Sequence, residues 1–289
     1  MQSNVKARRL RELLKNPGLV RAPGAFDAWS ARLVEKAGFP AAYMTGYGAS
    51  ASVIGRPDIG LMTMSEMVTQ ARNMAAAVDI PLIADGDTGY GGVLNVIRTV
   101  QEFERGGVAA LQLEDQVFPK RCGHMEGKQL ISREEMAAKI RAAVHARRSR
   151  DFIIIARTDA RAVTGLADAI ARATAYAEAG ADVLFVEAPQ TVQEMEEIAG
   201  ALKCPLVANM VERGKTPFLT VSELERIGYR IAIYPVSALY AATRAMVQVL
   251  KRLEADDSAA NGDDDRVGFE EFNQLIGVAE MRALEKRFS

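Results

Sequence analysis

The chain has 289 residues, 36 of them basic and 37 acidic, with only two cysteines and two histidines. Charge this nearly cancelled gives no bulk field for nucleic acid or an anionic membrane, no apolar run is long enough to span a bilayer, and two cysteines give no disulfide framework. The first fifteen residues mix charge with leucine and lack the apolar region of a secretory signal, so a reducing cytoplasm is the expected setting.

The length is ordinary for an α/β barrel. Residues 6–15 read as a helix with Leu10, Leu13 and Leu14 on one face, broken by Pro17-Gly18. A first strand over 19–24 leads to a helix over 28–37, capped by Asp27 and ended by Gly38. A second strand over 41–46 opens into a Gly/Ser/Ala loop, and a helix over 65–77 follows, capped near Thr63 or Ser65. Strands at 81–84 and 110–113 flank a helix over 93–105. After a long loop, Ser132 with Glu135 three residues on forms a capping-box pattern for a helix over 133–148. Four more strands, at 152–157, 183–187, 205–209 and 230–234, alternate with helices at 166–179, 191–201, 221–227 and 237–254.

Strands that are apolar almost throughout are buried on both faces and belong to a parallel sheet. Eight strand–helix units predict the fold class α/β, closed as a (β/α)8 TIM barrel over residues 1–255; an open doubly wound sheet uses the same alternation but fits the count of eight less well. Residues 256–266 are acidic, lack apolar periodicity and read as a linker. Over 267–289, Phe269, Phe272, Leu275, Ile276 and Leu284 form an apolar face on a C-terminal helical extension. That face needs cover, from a neighbouring subunit or from the chain's own barrel.

In such a barrel the site lies where the strands end. Those ends carry Thr45, Asp85 with Asp87, Glu114 with Asp115, Arg157 with Asp159, Glu187 and Asn209. A single carboxylate there is more often an exposed loop residue or a helix cap, and Asp115 and Asp159 in particular read as caps or as partners of backbone. Their convergence on one rim is what points to a site, because buried charge is costly unless paired or metal-bound. Asp85, Asp87 and Glu114 supply hard oxygen and no nitrogen or sulfur, which suits Mg2+ or Mn2+ rather than zinc. Arg157 offers a bidentate fork for a carboxylate.

The loop after the fourth strand carries Lys120-Arg121-Cys122-Gly123-His124. Cys204, beside Leu202 and Pro205, reads as a small packing residue. Cys122 sits among cations, which lower a thiol's pKa and fit it for acid, base or nucleophile. His124 either tunes Cys122 or binds substrate, whereas His145 reads as helix surface. Lys120 has Schiff-base chemistry open to it, though a metal site beside it makes that role redundant. Gly123 and Gly127 give the loop the backbone freedom of a lid.

The segments Gly55-Arg56-Pro57-Asp58-Ile59-Gly60, Asp85-Gly86-Asp87-Thr88-Gly89-Tyr90-Gly91, Leu113-Glu114-Asp115-Gln116, Lys120 to His124, Ala156-Arg157-Thr158-Asp159-Ala160 and Ala208-Asn209-Met210-Val211-Glu212, in this order, resemble the isocitrate lyase/phosphoenolpyruvate mutase superfamily over nearly the whole chain. The resemblance implies Mg2+, with Mn2+ as the alternative, and a 2-hydroxy or 2-oxo dicarboxylate substrate. It also implies a homotetramer, a dimer of dimers that exchanges its C-terminal helices in pairs. It implies that Asp85 ligates the metal directly, with Asp58, Asp87 and Glu114 acting largely through water. Thr45, Gly46 and Tyr47 match the cradle for the substrate carboxylate, and Asp85, Gly123, Arg157, Glu187 and Asn209 match further substrate contacts. Cys-Gly-His marks the C–C lyase branch, which makes Cys122 the expected proton donor within a catalytic set of Lys120, Arg121, His124 and Glu114.

Where methylisocitrate lyases follow Cys-Gly-His with Arg-Pro-Asn, this chain has Met125-Glu126-Gly127, and Val211 stands where they carry a threonine. The loss of a charge and a hydroxyl is similar to the dimethylmalate lyase and carboxyphosphonoenolpyruvate mutase subgroup. Pro235 stands where oxaloacetate hydrolases tend to carry serine. The expected activity is therefore cleavage of a 2-alkylmalate, 2,3-dimethylmalate or 2-methylisocitrate type acid to an α-oxo acid such as pyruvate and a carboxylate. A P–C phosphonomutase and a non-catalytic dicarboxylate-binding barrel remain as alternatives.

Overall fold

The computed structural model of the protein describes residues 2–123, 125–256 and 266–289. The apolar runs form eight parallel strands: β1 (Val20–Ala25), β2 (Ala42–Met44), β3 (Leu82–Asp85), β4 (Ala110–Glu114), β5 (Ile153–Thr158), β6 (Val183–Val186), β7 (Val207–Asn209) and β8 (Ile231–Tyr234). Their order is β6-β5-β4-β3-β2-β1-β8-β7, and a parallel bridge from Leu184 to Leu206 brings β6 against the start of β7, so the sheet closes into the expected (β/α)8 barrel.

The strand period of two divides the core. One set of side chains, among them Val20, Ala22, Tyr43, Ile83, Ile153, Ile155, Phe185, Val207, Ile231 and Ile233, fills the barrel interior. The alternate set, including Met44, Leu82, Leu111, Leu113, Ile154 and Leu184, meets the surrounding helices. Helix α1 (Gln2–Lys15) contributes Ala7 and Leu10 to the inner cluster, with Leu13 and Leu14 packed on it. Arg11 of α1 is fastened by Asp182 at 2.8 Å and by the Asp151 carbonyl at 2.9 Å. That end of the barrel is therefore a packed floor.

The enclosing helices are α2 (Ala28–Lys36), α4 (Met64–Ala77), α5 (Val93–Arg105), α6 (Arg133–Ala146), α7 (Leu166–Glu178), α8 (Val192–Ala201), α9 (Val221–Ile227) and the start of α10 (Ser237–Asp256). Asp27 and Thr63 form reciprocal capping boxes. Ser132 accepts from the Glu135 backbone at 3.1 Å, which is half of the box its spacing predicts. The Gly/Ser/Ala stretch expected as a loop is instead helical, as α3 (Gly46–Ala49) running into a π-helical turn over Ser50–Ile54. Residues this small leave no apolar period to read, and the local determinant is Thr45, whose hydroxyl accepts from the Gly48 backbone at 3.3 Å.

The chain divides into two compact units, Met1–Ala241 and Ala242–Ser289. The division falls inside α10, ahead of the boundary at 255, and most of the acidic stretch lies outside the described residues. In the second unit the C-terminal extension is two helices, α11 (Phe269–Ile276) and α12 (Val278–Phe288), not one; Gly277 at φ 87° turns the chain between them. Phe269, Phe272, Met281, Leu284 and Phe288 are all exposed. Among the described residues no helix is long and apolar enough to cross a membrane.

Candidate active site

The strand ends opposite α1 surround a cavity of about 200 Å3. Thr45, Tyr47, Asp58, Asp85, Glu114, Lys120, Arg121, Cys122, Gly123, Arg157, Glu187 and Asn209 all line it, so twelve of the residues singled out from the sequence converge on one space. Gly46 and Asp87 lie outside the lining, and His124 lies outside the described residues. Tyr43, Met125, Val211, Ile233, Pro235, Val236 and Tyr240 complete the wall.

The loop that delivers Cys122 is tied at its base. Gln116 and Leu130 form an antiparallel bridge, the Val117 backbone donates to Gln129 at 2.8 Å, and Ile131 donates to the Asp115 carbonyl at 3.0 Å. The Gln116 side chain then spans the loop. Its amide nitrogen donates to Glu114 at 2.9 Å and to the Arg121 carbonyl at 2.8 Å, and its oxygen accepts from the Arg121 backbone at 2.9 Å. The Met125 backbone donates to the Cys122 carbonyl at 2.8 Å, which curls the chain around the thiol. Cys122 is half-buried. The Arg121 side chain runs back along the loop to the Glu126 carbonyl at 3.1 Å.

Gly123 leaves no room for anything larger. A β-carbon there would lie 2.8 Å from side-chain carbons of Glu187 and would collide with the Arg157 guanidinium. Arg157 holds Asp159 through two hydrogen bonds at 2.9 and 3.1 Å, reaches Glu187 at 3.0 Å and Glu114 at 3.4 Å, and lies over the Phe185 ring. Asn209 donates to both Glu187 oxygens at 3.2 Å, and its own oxygen is buried without a hydrogen-bond partner among the described residues. Asp115, by contrast, is buried as a structural knot. It accepts from Thr158 and Tyr176 at 2.7 Å each and from the Asp159 backbone at 3.0 Å, and Arg172 lies 3.3 Å away.

The acids on the other side crowd one another. Lys120, 2% exposed, places its ammonium 2.5 Å from Asp58 and 2.8 Å from Asp87. Burial alone would lower its pKa, but Asp87, Asp58 and Glu114 outweigh it and lift it well above the ordinary lysine value. Lys120 is thus a fixed cation, without the neutral amine that a Schiff base requires. Burial raises Asp85 to about 6, with repulsion from Asp87 adding to the effect and Lys120 and Arg157 opposing it. Burial also raises Glu114 well above the carboxylate range, Arg157 only partly offsetting it. Asp58 is raised in the same way. No three described side chains of His, Cys, Asp or Glu converge tightly enough to cage a metal directly. Even so, the buried hard-oxygen groups of Asp58, Asp85 and Glu114, all held above their ordinary pKa values, fit a divalent cation that keeps much of its own water.

Sequence reasoning missed two contributors. Tyr240, in the first turn of α10, reads as helix surface; its hydroxyl bonds Tyr47 and is pushed up to about 12, mainly by burial and then by Tyr47 and the nearby Cys122. Lys128 carries no signal in a polar loop, yet its ammonium is buried. Its nearness to the Gly-hinged motif was the only hint on offer.

The phosphoenolpyruvate phosphomutase family model matches residues 10–254. The chain is 50% identical to the 2,3-dimethylmalate lyase of Eubacterium barkeri over 98% of both chains. It is 47% identical to the chloroplastic carboxyvinyl-carboxyphosphonate phosphorylmutase of Arabidopsis thaliana, over 97% of this chain and 84% of that protein. A crystal structure of 2,3-dimethylmalate lyase superposes with a TM-score of 0.93 at 38% identity, covering 98% of this chain and 95% of the other.

Proposed function

The chain belongs to the phosphoenolpyruvate phosphomutase family, and we propose that within it the protein is a carbon–carbon lyase that cleaves a 2-hydroxy dicarboxylate of the 2-alkylmalate type, releasing an α-oxo acid and a second carboxylate. The observation that carries this reading is the placement of Cys122 on a tied loop over a cavity that Arg157 and the raised carboxylates also line.

Arg157 and Asn209 orient the substrate carboxylate that becomes part of the oxo acid, with the Thr45–Tyr47 segment behind it. Glu114, with its raised pKa, takes the proton from the 2-hydroxyl. The oxygen lone pair forms the new C=O as the C2–C3 bond breaks, and the bonding pair passes to C3 as a carboxylate-stabilised carbanion. Cys122 gives its proton to C3, and the second carboxylate departs. Lys120, fixed between Asp58 and Asp87, holds positive charge beside the acids throughout. Asp85 would hold Mg2+ or Mn2+ directly, with Asp58, Asp87 and Glu114 acting through water, and the ion would neutralise charge on the substrate oxygens.

Met125, Val211, Ile233, Pro235 and Val236 form an apolar wall, which suits an alkyl substituent and offers no partner to a third carboxylate. A desolvated, unpaired carboxylate is costly. Pyruvate release from 2,3-dimethylmalate should therefore exceed that from 2-methylisocitrate by about 100-fold or more in kcat/KM; a preference for the tricarboxylate would overturn the assignment. Turnover of a phosphonate with no C–C cleavage would instead select the mutase.

The exposed phenylalanines and leucine of α11 and α12 support a homotetrameric assembly. Sedimentation should give a tetramer for the full chain and a smaller species for a chain ending at residue 266. An unchanged mass after truncation would remove those helices from the interface.

A further inference from the structure

We infer that Lys128 is a positioning residue for the lyase reaction, pinning the backbone of the Cys122 loop to the end of β5; the inference rests on the lyase reading above. Its side chain is 2% exposed, although it belongs to a polar loop that has free access to solvent on its outer side. Burying an ammonium is unfavourable unless it is paired and hydrogen-bonded. Both conditions are met. Lys128 Nζ donates to the Gly123 carbonyl and lies 3.1 Å from Asp159 Oδ1.

The two partners are what make the contact informative. Gly123 follows Cys122, so a bond to its carbonyl anchors the backbone one residue past the thiol. Asp159 is fully buried and is the carboxylate that grips Arg157 with both oxygens. Burial pushes Asp159 up, but Arg157 and Lys128 outweigh that and hold it below the ordinary aspartate range. The one anion thus sits between two cations. One cation faces the cavity and the other reaches back into the loop. Lys128 sets where the Cys122 loop sits relative to Arg157, so the proton donor and the carboxylate fork share one reference point. The ties through Gln116 and the Val117–Gln129 and Ile131–Asp115 bonds act on the stem and on Arg121, and the Met125–Cys122 and Arg121–Glu126 bonds join the loop to itself, whereas Lys128 joins it to the residue that follows β5.

Lys128→Met keeps the length and the apolar stem and removes the ammonium. In a Cys204→Ser background, alkylation of the remaining thiol by iodoacetamide reads the loop without any substrate. Lys128→Met should raise that rate about tenfold, as expected when a local tie worth about 1.4 kcal/mol is lost. It should lower kcat on 2,3-dimethylmalate about 100-fold, the scale of a misplacement near 1 Å, with the dissociation constant of oxalate in the presence of Mg2+ changed less than about threefold. Lys128→Arg, which keeps the charge, should recover part of both the alkylation and the kcat effects. If Lys128→Met does not fold, Lys128→Arg carries the test alone, because its longer planar head cannot occupy the same point between the carbonyl and Asp159; it should then show faster alkylation than wild type. Wild-type alkylation in the folded variant overturns the inference. Equal losses in kcat and in oxalate binding, with unchanged alkylation, do so too. If wild type cleaves no hydroxy acid, the lyase reading fails while the alkylation result still judges Lys128.

Discussion

Cys122→Ser should bind oxalate or the α-oxo product nearly as well as wild type and lose C–C cleavage by about 10^3-fold, within the range that a positioned general acid contributes. A serine hydroxyl is close to the thiol in size but a far weaker acid. The substitution should leave the pairings of Lys120 and Arg157 untouched, since neither involves the Cys122 side chain. Cys204→Ser is the control. That thiol is raised by burial and by Asp182, below β6, and lies outside the cavity lining. A Cys122→Ser protein cleaving at near wild-type rate would leave the carbanion with some other proton source. A phosphoryl transfer would make a different demand, since it depends on positioning and charge more than on a proton donor at this point.

Asp85→Asn should abolish turnover, by about 10^3-fold, and yet make the metal-free protein more stable. The folded carboxyl titrates at about 6 against an ordinary 3.8, because it is buried and faces Asp87. Between those two values the folded chain keeps a proton that the unfolded chain has released. Stability therefore falls as pH rises through that window, and the full penalty stands at pH 8, about 3 kcal/mol at 1.4 kcal/mol per unit. Asparagine cannot ionise and escapes it. Urea unfolding in EDTA at pH 8 should show Asp85→Asn ahead of wild type by about 2 kcal/mol, with the gap closing below pH 4. Adding Mg2+ should reverse the order, raising the wild type and leaving the variant where it was. A variant less stable than wild type in EDTA at pH 8, or one that responds to Mg2+ as wild type does, would show that this carboxylate is neither strained nor a ligand.

Most of the barrel could be read from the chain because its strands are buried on both sides and its helices carry ordinary caps. Val183–Val186 and the first four residues of Ile153–Thr158 are apolar throughout, and Thr63 and Asp27 mark their helices outright. The rim was legible for the opposite reason: charge at the end of an apolar run, as at Glu114 and Arg157, has no cheap structural explanation. The stretch over Ser50–Ile54 was not legible, since residues without apolar bulk show no period. Nor were the pairings. That Lys120 belongs to Asp58 and Asp87, or Lys128 to Asp159, depends on contacts between positions 31 to 62 residues apart, and a lysine in a loop looks the same whether it is solvated or buried.

The crowding around Gly123 has a bearing on how such a chain can change. Any side chain there would displace Arg157 and Glu187 together, and through Arg157 it would disturb Asp159 and Glu114 as well. A single substitution on that face therefore breaks the chemistry before it can offer a new preference. Met125, Val211 and Pro235 line the same cavity, and their side chains carry no part of the charge network. Mutational drift can exchange these three one at a time, reshaping which branched acid is admitted while the bond that is broken stays the same. New substrates are open to this scaffold by small steps; a new reaction would require several changes at once.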